Sequence, residues 1–264
     1  MPAIDLSRLK TQAARLSEHF GQPEAFLREL HELLDHYTNR TMRPAQIAQR
    51  LALPTYRTPR PVLRQIEAEL APLAEARPRE ATVLLYALWE AGYLETRLLA
   101  ARLLGMIPPA AAMPAFGRLP DWLKVSTDRE VRQALLTDAL GRVRRENADI
   151  FLTLLEEWLR SPLSGFQVWG LRALVPVLEA DFENLPAVFR ILRPAIEAAG
   201  PSTQVELQAC LSALSRVSPT ETLYFLGEVL RESPHPMMVR TLRRVLPGLP
   251  PDLQAGLREM LRQA

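Results

Sequence analysis

Apolar residues recur three and four positions apart along nearly the whole chain. In LSRLKTQAARLSEHF, AFLRELHELL and ADIFLTLLEEWL this spacing collects leucine and phenylalanine on one side of a helix and leaves the charges on the other. Period-two alternation is never sustained, Thr, Val and Ile seldom cluster, and neither Asn-Gly nor Asp-Gly occurs, so strands are not expected. The pattern predicts helices near 4–20, 23–37, 44–52, 59–76, 79–91, 95–106, 128–146, 148–160, 166–179, 184–199, 202–216, 219–231, 236–246 and 251–262.

The breaks are as regular as the helices. Gly200-Pro201, Ser218-Pro219, Ser233-Pro234 and Leu249-Pro250-Pro251 recur at intervals of roughly 16 to 18 residues, and each Pro can open a helix. One helix plus its turn at that spacing makes a pair about every 35 residues, the period of HEAT and armadillo repeats. The signatures of tetratricopeptide and ankyrin repeats are missing. No Gly/Ser-rich stretch could serve as a flexible linker. The reading is therefore all-α: a single HEAT-like α-solenoid domain over 1–264, about seven helix pairs, with an inner surface suited to a large ligand.

Composition adds a location and a bias. The single Cys210 cannot form an internal disulfide. MPAIDLSRLK lacks a signal peptide's apolar core, and no apolar run reaches about eighteen residues, so a cytoplasmic protein with no membrane role is expected. The net charge is only +2, but of the 32 basic residues only Lys10 and Lys124 are lysine. Guanidinium presents a planar fork that suits phosphate, although Arg richness also follows from genome composition.

The arginines gather in places. In MMVRTLRRVL, Arg240, Arg243 and Arg244 share one arc of the predicted helix, with no acid in that helix to neutralise them. Such a stripe can contact phosphates without reading bases, or be a solvated face paired to acids on the next helix. Arg142, Arg144 and Arg145 cluster at a helix C-terminus, where cations complement the helix dipole with or without a ligand. Arg57, Arg60 and Arg64 form a third group, partly offset by Glu67 and Glu69. In FQVWGLRALVPVLE, Arg172 is the one charge within an apolar run and must reach a carboxylate, a carbonyl or a groove.

Several chemistries are disfavoured. HELLDH at 31–36 has Asp35 where a zinc-protease pattern needs a second His, and neither GxSxG nor GxxxxGK occurs. No metal and no cofactor are expected. Trp89, Trp122, Trp158 and Trp169 sit in helical patterns that suit a core better than a base-stacking platform.

Three stretches resemble the DNA alkylation repair glycosylase family. LALPTYRTPRPVLRQI, from residue 51, is similar to its entry segment, where a turn precedes Thr-Pro and an Arg-rich helix. LWEAGYLETRLLAARLLG, at 88–105, is similar to its Leu-Trp, acidic Glu and Ala-rich helix. Leu140, Gly141, Trp158, Trp169 and Arg172 follow the order of its central repeat. Members that excise alkylated purines use an Asp, a nearby Trp and an Arg along a concave groove, without metal. The resemblance assigns the Arg to Arg172. Alignment on Gly141 and Trp158 puts Gln133 at the catalytic Asp and Arg129 at the Trp, whereas a shifted register brings in Asp138 with no Trp one turn ahead. An amide cannot stabilise the positive charge that develops as a glycosidic bond breaks, so weak or absent glycosylase activity is expected. The bland reading of Asp138 is an ion pair with Arg142, four residues on. For Arg172 it is a buried pair with a neighbouring carboxylate.

The expectation is a protein that binds double-stranded or branched DNA through Arg57, Arg60, Arg129, Arg132, Arg172, Arg240, Arg243 and Arg244, with Asp138 and Arg172 as catalytic candidates. The alternative is a HEAT/armadillo scaffold that holds a protein or peptide partner.

Overall fold

The computed structural model describes residues 5–38, 53–178 and 184–263, and these are all-α, with no strand among the described residues. The helix expected over 44–52 lies outside them. Among the described residues no helix is long and apolar enough to cross a membrane. The chain divides into two compact units, Met1–Asn147 and Ala148–Ala264.

The first unit contains α1 (Leu6–Glu18), α2 (Pro23–His36), α3 (Arg60–Ala76), α4 (Pro78–Glu90), α5 (Leu94–Leu104), α6 (Pro109–Phe116), α7 (Leu119–Val125), α8 (Arg129–Thr137) and α9 (Gly141–Glu146). They pack as two rows: α1 on α3, α3 on α5 and α5 on α8, against α2 on α4, α4 on α6 and α6 on α9. Contacts of α1 with α2, α3 with α4 and α4 with α5 join the rows, the arrangement of a helical repeat. The predicted apolar faces fill the space between them, with Leu9, Phe26, Leu30, Ile66, Leu84 and Leu99 buried. Each such side chain contributes about 1.5–3 kcal/mol on leaving water.

The second unit contains α10 (Ala148–Arg160), α11 (Ser164–Leu178), α12 (Leu185–Glu197), α13 (Gln204–Val217), α14 (Pro219–Glu232), α15 (Pro236–Val245), a 3₁₀ turn at Leu246–Gly248 and α16 (Pro251–Gln263). Its rows run α10, α12, α14, α16 and α11, α13, α15, with α10 on α11 and α13 on α14 between them. Pro219 and Pro251 do open helices; α15 is opened by Pro236 rather than Pro234, and α13 begins at Gln204, beyond Pro201.

Two expectations need correction. The single helix expected over 128–146 is two, α8 and α9, because the chain turns at 138–140. Gly105 lies so close to that turn that an added Cβ would sit 2.0 Å from the Asp138 carbonyl oxygen. The stretch 107–127, for which no helix is predicted, forms α6 and α7; Pro109 and Pro120 stand in their first turns, where a missing N–H costs nothing.

Candidate nucleic-acid interface

The clearest concentration of functional groups lies on the α3, α5, α8 row. Arg60 and Arg64 of α3, Leu98 and Arg102 of α5, and Glu130, Gln133, Ala134, Thr137 and Asp138 of α8 and its C-terminus line an open hollow of about 250 Å³. Helical spacing explains the set: Arg60 and Arg64 are four apart, as are Leu98 and Arg102, so each pair stands on one face. Asp128 caps α8 by accepting from the backbone N–H of Glu130 at 2.8 Å and of Val131 at 3.3 Å, which fixes where α8 begins.

The charges in this hollow are not equally held. Arg102 sits between two carboxylates, pairing with Glu67 and donating through Nε to Asp138 at 3.3 Å. Burial pulls the Arg102 pKa down, but Glu67 and then Asp138 outweigh it and the net shift is upward. Arg60 meets Glu130 at 3.6 Å across largely exposed side chains, a loose pair worth at most about 1 kcal/mol. Arg64 and Arg129 are exposed and have no partner among the described residues. Arg132 reaches the Thr127 carbonyl at 3.4 Å.

Both register choices end at this hollow, since Gln133 and Asp138 line it together. Asp138 does not pair with Arg142 as the spacing suggests, because the helix breaks between them and the four-residue geometry is lost. Arg142 instead binds Glu75, Glu146 at 2.8 Å and the Met106 carbonyl at 2.6 Å. Arg102 was not among the sequence candidates. Its signal is the one that singled out Arg172: a lone cation inside an apolar run, LLAARLL.

Next to the hollow, residues 53–59 form a strap leading into α3. Glu95, in the first turn of α5 and only 3% exposed, accepts from Thr55 Oγ1 at 2.7 Å, from the Tyr56 N–H at 3.1 Å and from the Thr58 N–H at 3.3 Å. The Tyr56 ring stacks on Tyr93 with centroids 4.9 Å apart, and its hydroxyl lies 2.8 Å from His31 Nδ1. Burial first, then Tyr93, pushes the Tyr56 pKa up to about 12. Arg57, within the strap, has φ of 56°, a left-handed conformation that a residue with a Cβ adopts only under constraint.

The remaining candidates belong to the second unit. Arg172 of α11 donates through Nε and NH2 to Glu206 Oε1 of α13 at 2.8 and 2.6 Å. Glu206 is buried, while the Arg172 side chain remains 47% exposed, so the pair is buried on one side only. On α15, Arg243 donates to the Leu261 carbonyl at 2.8 Å, whereas exposed Arg240 and Arg244 have no partner among the described residues. Trp89, Trp122 and Trp158 are core residues, as expected; Trp169 is half-buried against Phe166.

No model of a known protein family matches the chain, and no curated protein matches it.

Proposed function

We propose that this chain is a cytoplasmic DNA-binding helical-repeat protein that grips phosphates of double-stranded or branched DNA along the α3, α5, α8 row, with little or no glycosylase activity. The observation that carries the reading is the convergence of Arg60 and Arg64 on one open hollow, with unpartnered Arg129 beside it on α8. Exposed guanidinium groups without strong acidic partners can neutralise backbone phosphates and release their counterions. Arg240 and Arg244 offer a second phosphate-binding patch on the second unit.

Weak chemistry follows from the carboxylate. Asp138 is held by Arg102 and accepts from the Thr137 hydroxyl at 3.2 Å. A carboxylate already shared with a guanidinium has less charge to offer a developing oxocarbenium ion. The test is fluorescence anisotropy with labelled duplex over a salt series. Arg60→Ala with Arg64→Ala should flatten the log–log salt slope by roughly two units. A double variant with the wild-type slope would remove this row from the interface. Excision of a methylated purine that disappears in Asp138→Asn would instead establish an enzyme.

One observation favours a second reading, a scaffold for a protein or peptide. Between α12 and α14 lies a groove of about 620 Å³ lined by Phe189, Phe225 and Tyr224, with Arg190, Arg193, Glu221 and Glu228 supplying both signs of charge. Tyr224 is 63% exposed. An apolar floor with a mixed rim suits a peptide better than a polyanion.

A further inference from the structure

The strap and α5 meet through a buried acid, and that choice of residue requires an explanation. Burying a carboxylate is costly unless hydrogen bonds replace its hydration, and an apolar side chain would pack the first turn of α5 more cheaply. Among the described residues, every hydrogen bond to the Glu95 carboxylate comes from outside its own helix: the Thr55 hydroxyl and the Tyr56 and Thr58 N–H groups, all from the strap. The Leu94 N–H adds a fourth tie, to the Pro54 carbonyl at 2.9 Å. Inside the strap, the Arg57 N–H donates to Thr55 Oγ1 at 3.0 Å. Thr55 thus links the acid to the one residue with a left-handed backbone among the non-glycine positions described.

Two residues beyond Thr58 the chain becomes α3, and its first residue is Arg60. Fixing the strap therefore fixes how α3 begins, and with it the position from which Arg60 and Arg64 reach the hollow. We infer that Glu95 is a positioning residue for the DNA-binding face: its carboxylate clasps residues 55–58 so that Arg60 and Arg64, at the start of α3, stand ready for phosphate before DNA arrives. The inference rests on the proposed DNA-binding function. The benefit is preorganisation, since ordering a loop and its long side chains during binding subtracts from affinity.

Glu95→Gln tests this, because an amide places an N–H against the strap's own donors. Affinity for a duplex of about 20 base pairs at low salt should fall about tenfold, with far-UV helicity retained. The decisive comparison repeats the substitution in an Arg60→Ala/Arg64→Ala background, where it should have no further effect on affinity. Should Glu95→Gln fail to fold, Thr55→Val, which deletes one clasping hydroxyl, is put through the same cycle with the same expectation. Equal losses in both backgrounds, or no loss in either, overturn the positioning role while leaving DNA binding intact. A wild-type chain with no salt-dependent affinity for DNA overturns the functional reading and this inference with it.

Discussion

Among the glycines, Gly105 is the one where an added Cβ would come closest to backbone, and the backbone it meets is that of Asp138 in the candidate site. A methyl group there would collide with the Asp138 carbonyl, which cannot swing away as a flexible side chain can. Gly105→Ala should cost about 3 kcal/mol in urea denaturation, at the upper end of ordinary overpacking; an unchanged midpoint would contradict the packing described. His31 gives a pH signature. Burial holds its imidazole below the ordinary value of 6.5, so as pH falls through 6.5 the unfolded chain takes up the proton first. The stability is present above that pH and lost below it. Tm should therefore fall between about pH 7 and 5.5, and His31→Gln should remove part of the fall; identical profiles would sink the assignment. Cys210, fully buried with its thiol pushed up to about 12, should resist aromatic disulfide reagents until urea unfolds the chain.

At the scale of elements, α8 depends for its start on Asp128, the capping residue just before it. Replacing Asp128 by Ala leaves the Glu130 and Val131 N–H groups without their acceptor and should cost about 1 kcal/mol by thermal melting, with no change in helix count. The same region marks where sequence patterns stop being informative. Hydrophobic spacing located α1 to α5 and α10 to α16 within a few residues, because most of them bury an apolar stripe at helical spacing and α5 is apolar nearly all round. It ran α8 and α9 together because Val131, Leu135 and Val143 keep helical phase across the turn, while the contact that marks the turn, Gly105 against the Asp138 carbonyl, joins residues more than thirty apart in sequence. It missed α6 and α7 because proline reads as a breaker when it stands at a helix's first positions. The partner of Asp138 was illegible for the same reason: an i,i+4 rule presumes a helix that continues.

For the whole molecule, the repeated helix pair was readable from the period of the breaks, and each unit bears it out in its two packed rows. The candidate site was readable only in outline. Two of the stretches that carry the resemblance, 51–66 and 88–105, meet physically at the clasp of Glu95 on Thr55, Tyr56 and Thr58, a contact no local pattern announces. Which arginines are spoken for depends on neighbours distant in sequence: Glu206 for Arg172, Glu67 for Arg102 and the Leu261 carbonyl for Arg243. On the α3, α5, α8 row, Arg60, Arg64, Arg129 and Arg132 remain available. The most direct test of the account is the affinity of the intact chain for duplex DNA measured across salt concentrations. With these four groups on phosphates, the plot of log affinity against log salt should fall with a slope of about −3 to −4. A flat line, or no binding at the lowest salt, would contradict it.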